Sequence, residues 1–323
     1  MWLPKKLSNI LKTILFNCSP TYRQAKIVEW RVDSLRSMVK NELTLMDKKY
    51  QMLFWYLFKT PNETIEESKL RFFHMLPKAD GELREYQLKN LYILQKLAAI
   101  CNDNKLLFWL EGGTLLGAVR HGGFIPWDDD IDINMWEEDF KKLIILLQKQ
   151  DELVLRYKYN YFLNCIVPGV EINGEDCNWV DIFPMKKIDC NALGYEDTKK
   201  MINSICKKMR NELKIKITRD YNNQEFLDMS DTNEKVQLVE KIIDKYDAMI
   251  IDGKNKNCCY RSLLALNSPG GADLFYLKDV LPFKKCNFEG NEYLIPNNSE
   301  HWLNTYYGDY LRLPLNIKPK HFN

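Results

Sequence analysis

The fold is decided by one stretch, residues 106–134, which reads LLFWLEGGTLLGAVRHGGFIPWDDDIDIN. Its apolar start, Leu106–Leu110, predicts a buried strand, and Gly112 and Gly113 end that strand where a backbone without Cβ atoms can approach a ligand closely. Thr114 could then cap a short helix, whose free N–H groups and positive dipole end suit a phosphate. The sequence therefore predicts an anion-binding turn between a strand and a helix.

Two carboxylates follow on a second predicted strand. Polar and apolar residues alternate over residues 130–134, so a strand would bury Ile131 and Ile133 and project Asp130 and Asp132 from the opposite face. Such carboxylates repel each other unless a cation lies between them, and a hard divalent ion, Mg²⁺ or Mn²⁺, prefers oxygen ligands. A solvated acidic loop is the alternative for a lone Asp-x-Asp pair, but the glycines and the interleaved apolar residues favour a metal site.

A third carboxylate, Asp181, lies in another short strand pattern. Val180 and Ile182 would occupy one face of that strand and Asp181 the other, with Pro184 closing it. If this strand neighbours the first acidic strand, Asp181 completes a three-carboxylate site that could hold one or two Mg²⁺ ions against a pyrophosphate. On the residues alone, the alternative that Asp181 only begins a turn is about equally favoured.

Three further side chains between the turn and the acidic strand are candidates for ligand contact. Arg120 and His121 could bracket a phosphate together with the backbone amides and the metal. Trp127, directly beside the carboxylates, is the best aromatic candidate for ligand contact, although core packing is the commoner use of an aromatic residue.

These residues resemble the signature of the LicD family, the phosphocholine transferases of bacterial surface glycans, with fukutin and the fukutin-related ribitol-phosphate transferases as more distant relatives. The resemblance covers about residues 83–323 and is carried mainly by segments 113–121, 123–132, 180–184, 288–290 and 306–314. It implies a nucleotidyltransferase-like core, a divalent metal and a CDP-activated donor such as CDP-choline. It also implies that His321, in a basic tail, reaches a donor phosphate.

The implied activity is metal-dependent transfer of phosphocholine, or a similar phospho-substituent, from the CDP-linked donor to a sugar hydroxyl of a cell-surface glycan such as lipopolysaccharide or teichoic acid, with release of CMP. Asp130, Asp132 and Asp181 would be both metal ligands and catalytic residues. Two alternatives stay open: a nucleotidyltransferase that attaches NMP to a small molecule or protein, and a non-catalytic ligand-binding protein. Covalent catalysis is disfavoured because no Ser-His-Asp pattern or Cys-His pair occurs.

Composition excludes several other classes. A net charge of +2 over 323 residues gives no long-range attraction for nucleic acid. The nine cysteines show neither paired spacing nor a Cys-x-x-Cys motif, so neither a disulfide framework nor a zinc site is indicated, and a reducing compartment follows. We therefore expect a cytoplasmic enzyme, with the inner face of the membrane as a candidate location.

The predicted fold class is α/β (α+β): a nucleotidyltransferase-like small mixed sheet flanked by helices. Residues 1–80 are predicted to form a helical N-terminal arm, with a helix over about 23–58 and a linker over 60–80, and residues 81–323 the catalytic domain with a helical insertion at 191–270. The basic, apolar segment 1–16 is too short to span a bilayer. It is a candidate for peripheral membrane contact or, at about twice the odds, for packing on the protein or in a homo-oligomer.

Overall fold

The computed structural model describes residues 20–160, 165–175, 178–217, 226–228, 233–262 and 274–314. The chain divides into two compact units, residues 1–69 and 70–323. The first unit contains helix α1 (Pro20–Phe58), which confirms the helix predicted over residues 23–58. No helix among the described residues has both the length and the apolar character that crossing a bilayer requires. The predicted membrane-contacting segment 1–16 lies outside the described residues.

The stretch predicted as a linker, residues 60–80, contains a helix, α2 (Ile65–Met75). Its role as a linker stays a prediction. The helix is set by a capping box that the prediction overlooked. The Thr64 hydroxyl accepts a hydrogen bond from the Glu67 N–H at 3.1 Å, and the Glu67 carboxylate accepts one from the Thr64 N–H at 2.7 Å.

The second unit is built from seven further helices and ten strands within the described residues. The helices are α3 (Gly81–Asp103), α4 (Gly112–His121), α5 (Glu137–Leu147), α6 (Tyr195–Ile217), α7 (Asn233–Asp247), α8 (Leu277–Val280) and α9 (Ser299–Tyr307). The strands are β1 (Phe108–Leu110), β2 (Ile131–Trp136), β3 (Leu153–Asn160), β4 (Cys165–Ile172), β5 (Trp179–Ile188), β6 (Phe226–Asp228), β7 (Cys258–Arg261), β8 (Leu274–Tyr276), β9 (Lys284–Phe288) and β10 (Asn291–Ile295).

Eight of these strands form one mixed sheet in the order β1-β2-β5-β4-β3-β6, with β7 pairing the C-terminal half of β5 and β8 pairing β7. Only β2 and β5 run parallel, and β9 and β10 form a separate hairpin. Helices α3 and α5 contact both β2 and β5. The predicted mixed sheet flanked by helices is confirmed, although with eight strands it is not small.

The predicted helical insertion at 191–270 is helical only in part. It holds α6 and α7, but β6 and β7 also fall within it and extend the main sheet. Short strands such as these carry too few residues to show a period in sequence, and their partners lie far away along the chain. The division of the chain into an arm, a catalytic domain and an insertion stays a prediction.

Alternating burial in β2 and β5 fixes which way their polar residues point. Ile131, Ile133, Val180 and Ile182 are fully buried in the main core. Because successive side chains of a strand point to opposite faces, the aspartates between these residues share the other face. The alternation predicted for both strands is confirmed.

The carboxylate of Glu289, in the loop of the β9–β10 hairpin, connects this loop to other parts of the second unit. This side chain is buried, and it accepts hydrogen bonds from Arg84 Nη2 at 2.8 Å, from Lys78 Nζ at 2.7 Å and from the Phe124 N–H at 3.2 Å. Burial raises the pKa of Glu289, but these donors outweigh it and hold the pKa below the ordinary glutamate value. The ionised form therefore stabilises the fold.

We expect Glu289→Gln to lower the free energy of unfolding at neutral pH by about 3 kcal/mol, because it leaves the mostly buried Arg84 guanidinium without its counter-charge. A lowered carboxylate pKa contributes stability above the unfolded-state pKa and loses it as pH falls through the folded-state value. Urea melts should therefore show the gap between wild type and variant shrinking below about pH 4.

The matched control for this prediction is Glu292→Gln, on the same hairpin. Its pair with Lys285 is 2.9 Å long, but both side chains are about two-thirds exposed, so the change should cost less than about 0.5 kcal/mol. Equal losses in the two variants would show that Glu289 contributes no more than a surface ion pair.

Candidate active site

The parallel register of β2 and β5 brings the predicted carboxylates together. Asp132 lies directly opposite Asp181 in that register, and Asp130 precedes Asp132 by two positions and so points to the same side. Just before β2, carboxylate oxygens of Asp128, Asp129 and Asp130 lie within 4.8 Å of one another. Five acidic side chains therefore meet at the N-terminal ends of the two parallel strands.

Like charge dominates the electrostatics of this cluster. Desolvation raises the pKa of Asp132 well above its ordinary value, and the charges of Asp130, Asp181 and Asp128 raise it further. The charge of Arg261 acts in the opposite direction and lowers the pKa of Asp132. Negative charge therefore dominates around Asp132 in the described part of the chain.

The ligand atoms of the cluster fit a hard divalent cation. They are all carboxylate oxygens, which Mg²⁺ and Mn²⁺ prefer over nitrogen and sulfur. A cation among them would offset the repulsion that raises the pKa of Asp132. The predicted ligands Asp130, Asp132 and Asp181 are grouped suitably, and Asp128 and Asp129 are additional candidates.

The glycine turn differs from its prediction in detail. Gly112 and Gly113 are already the first turn of α4, and Glu111, not Thr114, is the residue that precedes the helix. Thr114 instead lies inside the helix, and its hydroxyl accepts a hydrogen bond from the Asp132 N–H at 2.8 Å. The helix N-terminus is thereby fastened to the start of β2, beside the carboxylates.

Carboxylate oxygens lie close to the backbone of both glycines. A Cβ on Gly112, whose φ is +53°, would lie 2.5 Å from Asp132 Oδ2, and one on Gly113 would collide with Asp128 Oδ2. The prediction from sequence assigned the space beside these glycines to a ligand. Aspartate side chains lie beside the Cβ positions of both glycines, so the glycines allow the acidic cluster to approach the start of α4. Contact of their N–H groups with a phosphate stays a prediction.

A buried network of hydrogen bonds holds Glu111, the residue that precedes the glycine turn. The Glu111 carboxylate accepts hydrogen bonds from Arg261 Nη2 at 3.0 Å, from Trp302 Nε1 at 2.9 Å and from Asn134 Nδ2. Glu111 and Arg261 are both almost fully buried, and the guanidinium lies 4.1 Å from the centre of the Phe183 ring. This pair holds the residue before Gly112 while keeping one cation near Asp132.

Arg120 and His121 have different surroundings from those predicted. Arg120 is buried, donates to the Tyr310 carbonyl at 2.7 Å, and places its guanidinium 4.4 Å from the centre of the Phe73 ring. The ring of His121 packs edge-on against Phe73 and Trp127. Desolvation, and then the Arg120 charge, lower the pKa of His121 to about 3, so the imidazole is neutral at physiological pH.

Arg120 nevertheless interacts electrostatically with the acidic cluster through Asp128. Desolvation lowers the pKa of Arg120 to about 10, and the charge of Asp128 counteracts that shift. Trp127 is partly buried and packs on the main core. A phosphate-binding role for Arg120, His121 and Trp127 stays a prediction, and His321 lies outside the described residues.

Of the C-terminal aromatic residues that the structure describes, Tyr307 is exposed beside the cluster. Trp302 is core, stacked on Phe275 with ring centres 3.6 Å apart, and the Tyr306 hydroxyl lies 3.3 Å from Arg261 Nη2. Tyr307 is 43% exposed. Desolvation raises its pKa and the charge of Asp132 raises it further, which places the Tyr307 hydroxyl in the field of the carboxylates. Tyr307 is therefore a further candidate for ligand contact, beside Trp127.

Sequence reasoning missed three contributors to the site: Asp128, Glu111 and Arg261. A signal existed for Asp128, since it belongs to the three-aspartate run. Glu111 could have been suspected as the residue before the glycine turn. Nothing local marks Arg261, because its role depends on β7 lying beside β5.

Comparison with known proteins agrees with this arrangement. Residues 105–229 match the sequence model described as LicD/FKTN/FKRP, nucleotidyltransferase domain. The chain is 28% identical over 264 residues to the lipopolysaccharide cholinephosphotransferase LicD of Haemophilus influenzae, an alignment that covers 72% of this chain and 92% of that protein.

Two mammalian relatives match shorter segments. Human ribitol 5-phosphate transferase FKRP is 62% identical over 32 residues, which are 10% of this chain and 6% of that protein. Mouse ribitol-5-phosphate transferase FKTN is 37% identical over 67 residues, or 21% of this chain and 14% of that protein. The resemblance to the LicD family stated from the sequence is confirmed over residues 105–229, the span that the family model matches.

Proposed function

We propose that this protein is a metal-dependent transferase that moves phosphocholine, or a similar phospho-substituent, from a CDP-linked donor to a sugar hydroxyl of a cell-surface glycan. The observation that carries the proposal is the register of β2 and β5, which sets Asp132 opposite Asp181 beside the N-terminus of α4. The similarity to a lipopolysaccharide cholinephosphotransferase supports both the type of reaction and the class of acceptor.

Donor binding uses the acidic cluster and the helix N-terminus. Asp130, Asp132 and Asp181 would hold Mg²⁺ or Mn²⁺, with Asp128 as a further ligand. When bound, the ion neutralises the pyrophosphate and polarises the phosphorus under attack. The N–H groups at the start of α4 donate to phosphate oxygens, and the helix dipole favours the same charge.

The reaction is a direct displacement at phosphorus. The acceptor oxygen forms a bond to the distal phosphorus of the donor, the bond from that phosphorus to the bridging oxygen breaks, and CMP leaves with the bridging oxygen. Asp181 accepts the proton of the sugar hydroxyl as the new bond forms. The protein mainly positions the reactants and compensates charge, as is usual for phosphoryl transfer.

The acceptor and the exposed aromatic residue fit the same picture. Tyr307 lies open beside the carboxylates, where its ring can pack on a sugar or on the quaternary ammonium of choline. Because lipid-linked glycans are assembled at membranes, we place the enzyme in the cytoplasm, with the inner membrane face as its place of work.

The test is incubation of the purified protein and Mg²⁺ with CDP-choline, CDP-ribitol or CDP-glycerol, and with an oligosaccharide acceptor that lacks phosphocholine. We expect CMP release and a phospho-substituent on the acceptor, both abolished by EDTA. Release of phosphocholine with CMP left on the acceptor would instead identify a nucleotidyltransferase. Donor binding without any product would identify a non-catalytic binding protein.

A further inference from the structure

Helix α1 carries an apolar stripe that nothing in the described part of the chain covers. The helix is 39 residues long. The stripe, called the α1 stripe below, consists of residues that recur every three or four positions: Val28, Val32, Leu35, Val39, Leu43, Met46, Tyr50, Leu53 and Leu57. Each of them is between 39% and 73% exposed.

The α1 stripe is straight. Its members are on average about 3.6 positions apart, which is the period of the α-helix itself, so they stay within about 40° of Val39 around the axis. The stripe therefore runs parallel to the helix for about 43 Å. A different face of the helix, which includes Gln51, Phe54 and Phe58, is half-buried, so the stripe is distinct from the face that is partly covered.

An exposed stripe of this length needs an occupant. Single exposed apolar residues are normal, but a continuous strip of them marks an interaction surface. A helix in water also gains most of its stability from packing its apolar face, and the first half of α1 is exposed on nearly every side.

The charges along the edges of the stripe favour a protein partner over a bilayer. Glu29 and Arg36 lie on one edge, and Arg31, Glu42 and Lys49 lie on the other. A helix that lies on an anionic membrane is flanked by Lys and Arg, whereas the carboxylates here would face the headgroups. Because each edge carries both acidic and basic residues, it can form ion pairs with a protein surface that also carries both.

We propose that the α1 stripe pairs with the α1 stripe of a second copy of this chain, in antiparallel orientation. A two-fold axis between residues 44 and 45 sets Leu43 against Met46 and Val39 against Tyr50 of the second copy. The same register brings Glu42 beside Lys49 of the second copy, twice by symmetry.

The parallel, in-register alternative is disfavoured by charge. In a parallel pair, edge residues five positions apart face each other across the seam. Arg31 would then face Arg36 of the second copy, and like charges would meet on both sides of the axis. The antiparallel arrangement avoids this repulsion.

The test measures the mass of the full chain in solution by size-exclusion chromatography with light scattering over a concentration series. We expect a dimer for the wild type. Leu43→Glu places a charge in the centre of the stripe and should raise the dissociation constant at least about tenfold. Asn41→Glu is the matched control, because it adds the same charge on the opposite, exposed face and should leave the dimer intact. Circular dichroism confirms that each variant is folded.

Charge reversal tests the orientation. Glu42→Lys and Lys49→Glu should each raise the dissociation constant about tenfold, and the double variant should restore it. Single variants that weaken the dimer without rescue by the double variant would overturn the antiparallel register. A wild type that stays monomeric at every concentration would overturn the pairing itself, most directly if it then co-sediments with phosphatidylcholine–phosphatidylglycerol vesicles.

Discussion

Replacing Asp132 by asparagine is expected to lower the rate of CMP release by about 10²- to 10³-fold. Asp132 lies opposite Asp181 in the register of β2 and β5, so its charge faces both the proposed metal and the pyrophosphate. Because asparagine keeps the shape and removes the charge, the loss should appear in turnover and in divalent-ion affinity together. The ion affinity can be measured without substrate, by titration with Mn²⁺ followed by electron paramagnetic resonance.

The control for Asp132 is Asp103→Asn, an exposed aspartate at the end of α3, which should change neither quantity. Thermal melts should also show that Asp132→Asn is no less stable than wild type, since the change relieves repulsion among buried carboxylates. Full activity with unchanged Mn²⁺ affinity in Asp132→Asn would refute the metal-dependent mechanism.

Gly112→Ala is expected to reduce activity by about 10²-fold, because it moves a carboxylate rather than removing one. The new Cβ would lie 2.5 Å from Asp132 Oδ2, so the carboxylate must shift, and a displacement of about 1 Å in a reacting constellation costs about that factor. Steady-state kinetics and a melting curve of the same preparation measure the two effects separately.

Gly174→Ala separates the clash from the backbone strain. Gly174 has a φ of +85°, and nothing lies within 4 Å of a Cβ built there. Alanine at either position adds the cost of a left-handed backbone, about 1 kcal/mol. Only Gly112→Ala should also lose activity. Equal activity in the two variants would show that the close contact between Gly112 and Asp132 does not affect catalysis.

The parts of the site that could be predicted are those with a local period. The alternation in β2 and β5 predicted which residues are buried. It therefore also predicted that Asp132 and Asp181 point away from the core. The glycines indicated that other atoms approach the backbone closely at this turn. What approaches could not be deduced, because a missing Cβ shows that space is needed and not which atoms fill it.

The parts that could not be predicted depend on partners distant in sequence. Arg261 gains its role only when β7 pairs with β5, and Trp302 is separated from Glu111 by 191 positions. The surroundings of His121 could not be predicted either, although its proposed phosphate contact stays a prediction. Its place next to Arg120 suggested phosphate contact, whereas tertiary packing enclosed its ring between Phe73 and Trp127.

The anchoring of Glu111 has a consequence for biosynthesis. The glycine turn and four of the five aspartates are translated early, but Arg261 follows Glu111 by 150 positions and Trp302 follows it by 191. At about 5–20 residues per second, the last anchor leaves the ribosome roughly ten to forty seconds after the turn that it holds. A fragment limited to residues 105–229, the span of the family model, lacks both anchors. The glycine turn thus gains its last two anchors only after Arg261 and Trp302 have been synthesised.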